Sequence, residues 1–299
     1  MAFSAAGAIH AAPEPVALPF AVAGPKTRVA ESGMASAGDQ AVTVSFGGRF
    51  DNPVVIASLI SAHGADAAVA RVSKLSVTGF DLVVQETGDQ DGSHAAEDVS
   101  WIVVEAGSWV LADGTVIQAG LADVGATTRK GFTSLAFDAR FDADPAVLSQ
   151  TQTANDAVFV KTPMQGVDGT GFEMALEEDE AARNSGHAVE TVGWIAVDKG
   201  VAMDADGFVF EVGDIAANQI WTAGGFAGAF DAAPDLVAGL ATFNGTDAAA
   251  TGISGLTATG FDIRVEEDRT HDAETFHAAE TFHWIAFNGA VDVWGDALA

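Results

Sequence analysis

The sequence predicts an all-β chain of three tandem six-stranded antiparallel sandwiches behind an extended N-terminal arm. Three observations carry this. The same landmarks recur three times in the same order, and the conserved tryptophans Trp101, Trp194 and Trp284 lie 93 and 90 residues apart. Within each copy, apolar residues alternate with a period of two, as in Phe80, Leu82 and Val84, then Phe172, Met174 and Leu176, then Phe261, Ile263 and Val265. Such alternation marks half-buried strands. No segment carries a sustained 3.6-residue apolar stripe. A repeat of this size exceeds one turn of a solenoid, so each copy reads as a small domain.

The elements follow in order. Residues 1–27 are rich in Ala and Pro and match no repeat, so they read as the arm. The first unit spans 28–106, the second with its connector 107–199, and the third with its connector and a C-terminal tail 200–299. Each unit opens with a β-type run ending in glycine at Gly33, Gly120 or Gly213. A Phe-x-x-x-Phe pair follows, at Phe46 and Phe50, Phe137 and Phe141, Phe226 and Phe230. Pro53, Pro145 or Pro234 then leads into an apolar run, and a Thr-Gly-Phe triplet opens the next strand at Gly79, Gly171 or Gly260. The Trp strand closes the unit. Asp113-Gly114 and Asp206-Gly207 are turn dipeptides that join the Trp strand of one unit to the first strand of the next. The stretch EEDEAARNSG, 177–186, admits a helical turn.

Composition narrows the functions. With 42 acidic against 13 basic residues, the formal charge of −29 repels nucleic acid and anionic membranes. The same balance suits salty water and can collect divalent cations. There is no cysteine, so stability must come from packing rather than disulfides. No apolar run approaches the roughly 20 residues of a membrane helix. The first residues lack a positive segment followed by an apolar core, so no secretion signal is read there. Neither a phosphate-binding G-x-x-x-x-G-K-[ST] loop nor a G-x-S-x-G nucleophile elbow is present. Asn244-Gly245-Thr246 fits a glycosylation sequon, which carries no weight in a bacterial or viral setting.

The ordered set V-x-x-x-G, F-x-x-x-F-x-x-P-V-V, T-G-F and W-I-x-V resembles the H-type lectin domain of snail agglutinins and of the discoidin C-terminal domain. The match is best from Arg28 to Val104 and similar over Thr115–Val197 and Phe208–Phe287, about four-fifths of the chain. The resemblance implies six-stranded sandwiches, threefold association, and binding of N-acetylgalactosamine or related sugars without bond breaking. The family's sugar-binding Arg, twelve residues before the Gly of T-G-F, falls here on Ala67, Phe159 and Ala248. Its aromatic and His fall on Thr87 and Gly88, Asp179 and Glu180, Asp268 and Arg269. The family's particular sugar therefore does not carry over.

One constellation belongs to this chain itself. His94, His187 and His277 stand seven residues before the Trp, and Glu97, Glu190 and Glu280 stand four before it. Glu86, Glu178 and Glu267 lie in phase with the apolar residues of the T-G-F strand. If that strand and the Trp strand form a hairpin, two carboxylates and an imidazole meet at one end of every unit. Three readings stay open: an ion pair that pins the loop, a metal site, with Ca²⁺ the ion that carboxylates and loop carbonyls suit, or recognition of sugar hydroxyls. A glycosidase-type acid pair is disfavoured, since a small sandwich with three near-identical sites offers no deep cleft. The repeat tryptophans read as core. Trp109, Trp221 and Trp294, in connecting or terminal segments, read as the exposed aromatics.

The expected function is non-enzymatic: a glycan-binding adhesin, a fibre or spike of a phage or gene-transfer particle that contacts host-surface polysaccharide. The arm would hold other particle proteins. Three sites in one chain would raise avidity. The alternative is a structural spacer or decoration protein whose lectin fold has lost sugar binding. The units are free to form a closed threefold or a linear rod, and association of several copies is left open.

Overall fold

The computed structural model describes residues 26–298 apart from 65–66, 183–185, 205–206, 229 and 246. Almost all of the arm, and Asp206, lie outside the described residues. Among the described residues every regular element is a strand. The segment expected to admit a helical turn instead opens as a short strand and continues as a tight turn, because Glu177 and Glu178 extend the sheet before the chain bends.

The first unit contains β1 (Thr27–Ala37), β2 (Val42–Ser45), β3 (Pro53–Leu59), β4 (Ala68–Ser76), β5 (Gly79–Glu86) and β6 (Glu97–Glu105). They pair antiparallel in the orders β1-β6-β3, which is one end of a larger sheet, and β2-β5-β4, a three-stranded sheet. After the connecting strand β7 (Gly107–Val110), the second unit repeats the plan with β8 (Val116–Val124), β9 (Thr133–Ala136), β10 (Ala146–Thr151), β11 (Val160–Lys161), β12 (Met164–Asp168), β13 (Gly171–Met174), β14 (Glu177–Glu178) and β15 (Glu190–Val197). Its sheets run β8-β15-β10 and β9-β13-β12, and the pair β11-β14 stands where the first unit has the far ends of β4 and β5. The connector β16 (Gly200–Asp204) leads to β17 (Gly207–Ala217), β18 (Thr222–Gly225), β19 (Asp235–Leu240), β20 (Ala249–Thr257), β21 (Gly260–Glu267) and β22 (Glu280–Phe287), and β23 (Asp292–Ala297) ends the chain. The third unit's sheets run β17-β22-β19 and β18-β21-β20.

Each sequence landmark has a packing role. Gly33, Gly120 and Gly213 stand directly across the ladder from Trp101, Trp194 and Trp284. A Cβ at Gly120 would lie 2.7 Å from Trp194 Cζ2, so only glycine lets the indole lie flat on the neighbouring strand. The glycine of T-G-F is held by backbone: a Cβ there would collide with the carbonyl oxygen of Val44, Leu135 or Gly224. The phenylalanines close an aromatic cage over the indole. Phe46 meets Phe50 edge-on at 5.5 Å and Phe80 meets Trp101 at 5.9 Å. The second unit has Phe137–Phe141 at 5.0 Å and Phe172–Trp194 at 5.7 Å, the third Phe226–Phe230 at 4.8 Å and Phe261–Trp284 at 5.7 Å. Such pairs contribute beyond their buried area.

The connectors settle how the units sit together. β7 pairs with β8, β16 with β17, and β23 returns to pair with β1, placing Thr27 opposite Gly295. The chain thus closes on itself: β23 also pairs with β7, so the inner strands of the first two units form one eight-stranded sheet, β10-β15-β8-β7-β23-β1-β6-β3, beside the third unit's four-stranded sheet β16-β17-β22-β19. The turn dipeptide Asp113-Gly114 therefore joins β7 to β8, and the Trp strand does not reach the next unit directly. The inner faces share one apolar core, which takes Val29, Ile102, Ile117, Leu148, Phe210 and Ile285 from all three units. Three further cores fill the sandwiches.

Around this centre, the third strand of each unit packs on the Trp strand of the next, and three side chains solve the same backbone problem. The N–H of Leu236 donates to Ser100 Oγ at 3.0 Å, and the N–H of Val147 donates to His283 Nδ1 at 2.8 Å. Val55 donates to Gln152 Oε1 at 2.9 Å and accepts from Gln152 Nε2 at 2.8 Å. Ser100, Gly193 and His283 each precede a repeat tryptophan. Gly193 leaves room for the amide of Gln152, since a Cβ there would lie 2.9 Å from Gln152 Cδ.

Candidate functional site: imidazole triads and the grooves between units

The T-G-F strand and the Trp strand do not form the hairpin that their adjacency suggests. β5 and β6 lie in opposite sheets, as do their counterparts in the third unit, and the loop between them crosses the end of the sandwich. The predicted groups still meet, because this crossing carries the His over the sandwich mouth.

In the first unit His94 Nδ1 lies 2.9 Å from Glu86 Oε1 and Nε2 lies 3.1 Å from Glu97 Oε1. In the second, His187 bridges Glu178 at 3.1 Å and Glu190 at 3.2 Å. In the third, His277 bridges Glu267 at 2.5 Å and Glu280 at 3.3 Å. All nine side chains are almost wholly buried. Carboxylates only accept, so each ring nitrogen faces an acceptor. In the third unit the imidazolium form of His277 satisfies both, and that triad carries one net negative charge.

The far carboxylate also gathers the β3–β4 loop or its counterpart. Glu97 accepts from the backbone N–H of His63 at 2.9 Å and of Gly64 at 2.7 Å, and from Ser61 Oγ. Glu280 accepts from Asn244 N at 2.7 Å, Gly245 N at 2.8 Å and Thr242 Oγ1. Glu190 accepts from Asn155 N at 3.0 Å and Thr153 Oγ1. Burial raises the pKa of these three carboxyls, but the converging donors outweigh it and hold all three below the ordinary glutamate value. Burial likewise opposes the charge on His277, yet its bonds to Glu267 and Glu280 prevail and push it up to about 9. The triad thus clamps two loops onto the end of each sandwich. Ligation of an ion by any of these rings would require loss of one of the bonds.

Glu86, Glu178 and Glu267 also border three grooves, one at each junction between units. The first lies between the β4–β5 sheet of unit one and the loop of unit two at 154–157 and encloses about 400 Å³. The second, about 250 Å³, lies between Glu177, Glu178 and Thr127 of unit two and Phe243 of unit three. The third, about 490 Å³, lies between β20–β21 of unit three and Ser61, Gly64 and Ala67 of unit one, with His94 and Glu97 in its wall.

The outer strands bear cations here that sequence reasoning passed over. Arg71 is buried and crosses a unit boundary, donating from Nη2 to Glu190 Oε1 at 3.0 Å. Lys161 pairs with Glu177 at 2.9 Å, and Arg264 with Glu266 at 2.9 Å while lying 4.3 Å above the Trp221 ring. A base within the alternating core pattern of so acidic a chain was the available signal for Arg71.

Other expectations divide. Trp101, Trp194 and Trp284 are buried, and Trp221 and Trp294 are exposed. Trp109 is not exposed: it is half-buried against the central core, its Nε1 donating to Glu105 O at 2.8 Å. At the positions of the family's sugar-binding Arg, Phe159 and Ala248 are buried. Thr87, Asp179, Glu180 and Asp268 are buried too, and the last three knit the units together. Asp179 accepts from Gly88 N at 2.9 Å and Asp268 from Glu180 N at 3.0 Å. Among the described residues, Glu180, His271 and Asp272 offer three ligand atoms within 4.8 Å of one another. This trio was also missed, because its members come from two units.

The chain is similar to halomucin of Haloquadratum walsbyi, with 31% identity over 268 residues. That alignment takes in 85% of this chain but only 3% of the relative's length. No family model and no solved structure matches the chain.

The two perturbed histidines predict a pH profile. Burial first, then Lys199, lowers His283 to about 4, against the pull of Asp214 and the Val147 carbonyl. An unfolded His titrates near 6.5. The unfolded chain therefore takes a proton that folded His283 refuses, and stability falls from about pH 6.5 down to about pH 4, by on the order of 2–3 kcal/mol. His277 has the opposite sign: its contribution is complete below about pH 6.5 and is lost as pH rises toward 9. Urea midpoints should peak near pH 6.5. His283→Ser, which borrows the first unit's Ser100, should flatten the acid limb alone; an unaltered limb would refute the assignment.

Proposed function

We propose that the chain is a non-enzymatic glycan-binding module that works through its inter-unit grooves in salt-rich surroundings. The observation that carries this reading is the third groove, a polar hollow of about 490 Å³ bordered by Gln219, Thr251, Glu266 and Glu267. Its carboxylates and amide suit hydroxyl-rich ligands, and its size suits one or two sugar rings. The charge of −29 suits a protein that must stay dissolved at high ionic strength. Similarity to a protein named as a mucin supports a place at a cell or particle surface. The adhesive fibre or spike of a particle is one form of this role, a module within a much longer surface chain another.

A structural spacer is favoured by a different observation: every triad ring nitrogen is occupied by a carboxylate of the same chain, and the family's sugar-binding Arg positions hold Ala67, Phe159 and Ala248. A printed glycan array probed in molar salt, with and without EDTA, separates the two. Binding to at least one glycan class is expected, and its retention in EDTA would set aside Ca²⁺. Silence across the array and on whole cells would leave the spacer reading.

A further inference from the structure

We propose that only the groove between the third and first units binds, and that it takes a neutral, hydroxyl-rich saccharide. This rests on the glycan-binding reading above and makes it narrower: one site per chain instead of three.

The three grooves are related by the repeat, but their polar walls are not equally committed. In the first groove, Arg71 is 3% exposed and its guanidinium is held by Glu190 and by the carbonyl of Val158 at 3.4 Å. Gln85 donates to Ala157 O at 2.9 Å, and Glu86 serves His94 and the N–H of Gly92. These polar groups are thus turned onto the neighbouring loop. The second groove is the smallest, and Phe243 closes its side by packing edge-on against Phe132 at 5.4 Å. Lys161 there is taken by Glu177.

The third groove differs in three ways. Of the two arginines in its lining, Arg264 turns back over Trp221 and bonds Glu266, and Arg269 is exposed, so the hollow is left unfilled. Glu267 is buried, yet its Oε1 has no hydrogen-bond donor; its Oε2 alone is used, by His277. A buried carboxylate oxygen without a donor is costly, and a ligand hydroxyl would relieve it. Exposed apolar residues also adjoin its lining residues Gln219 and Thr275 in sequence. Ile220 is 65% and Phe276 67% exposed, while the first unit has Gln40 and Ser93 at the same places and the second has Gly186 opposite Phe276. Phe276 stands between Thr275, in the groove wall, and His277, whose N–H donates to Gln219. An exposed apolar group beside a polar hollow matches the two faces of a sugar ring.

Charge selects against acidic sugars. Arg264 is neutralised by Glu266, and of the remaining charges in the lining the carboxylates Glu97 and Glu267 outnumber the one exposed arginine, Arg269. A uronate or sulfate would bring a further anion up against those two carboxylates at close range, where salt screens least. A neutral sugar brings only donors and apolar faces.

The test uses the full chain in molar salt. Wild type is titrated by calorimetry with galactose-, N-acetylgalactosamine- and mannose-terminated oligosaccharides, and with glucuronate oligosaccharides. The double variant Phe276→Ser/Ile220→Gln installs the first unit's residues at exposed positions. Gln90→Ala and Arg129→Ala alter the other two grooves. All are checked for unchanged melting temperature. We expect one neutral oligosaccharide bound per chain, a loss of about tenfold or more in the double variant, and less than about twofold change in the controls. A stoichiometry of three, equal binding by the double variant, loss in either control, or preference for glucuronate would overturn the assignment while leaving glycan binding intact. Failure of wild type to bind any of these sugars would instead defeat both this assignment and the glycan reading.

Discussion

Glu190→Ala is expected to destabilise the fold by about 3–5 kcal/mol, the range for removing one member of a buried ion pair. Glu190 is 0% exposed and serves two units at once. It holds His187 at 3.2 Å and the Asn155 N–H within its own unit, and Arg71 at 3.0 Å from the first. The alanine variant strands a buried guanidinium and a buried imidazole together. Burial already lowers the pKa of Arg71 against the pull of Glu190. Glu97→Ala and Glu280→Ala remove the same loop clamp but abandon no arginine. Their losses should be smaller by at least about 1 kcal/mol, the worth of a charged hydrogen bond. Urea titrations at pH 7 read all three. Equal losses would show that Arg71 adds nothing across the boundary. Since Glu190's pKa is depressed, its stabilisation is present above the unfolded glutamate value and fades as pH falls through the lower folded one.

What was legible in the sequence was whatever one unit must repeat to fold. An indole lying on a bare Cα demands a glycine at one register position, and the cage over it demands phenylalanines at fixed offsets. Gly120, Phe137, Phe172 and Trp194 were therefore readable as a set. The triads were half legible: the constant spacing from His to Glu to Trp announced them. Their route was misread, since adjacent strands suggest a hairpin, whereas the polar stretch 87–96 is long enough to cross between sheets. The closure was hidden. GSWV, GVAMD and DVWGDA share almost no pattern, and the pairing of Thr27 with Gly295 spans nearly the whole chain. The groove contacts were hidden for the same reason. Arg71 and Glu190 come from different units, and Ser100, Gln152 and His283 meet one backbone need with three unrelated side chains.

That closure makes a second large effect predictable. Trp194→Ala should remove about 3–5 kcal/mol, as expected for emptying a buried aromatic site, and should do so for the entire chain at once. Trp194 belongs to the second unit's cage, so three independent domains on a string would respond with an early transition of that unit alone. The units here are not independent. Ile195, the next residue, lies in the shared core beside Val54 of the first unit and Val237 of the third. β23 locks the last unit to the first through Asp292 and Arg28, and Leu298 N donates to Ser108 O at 2.8 Å. A unit that melted alone would expose that shared core in both neighbours. Scanning calorimetry should therefore show one transition for wild type and one for the variant, lower by roughly 5–8 °C, with equal calorimetric and van 't Hoff enthalpies. A split transition, with two-thirds of the enthalpy left at the original temperature, would mean that the common core does not couple the units, and the closed arrangement would lose its energetic meaning.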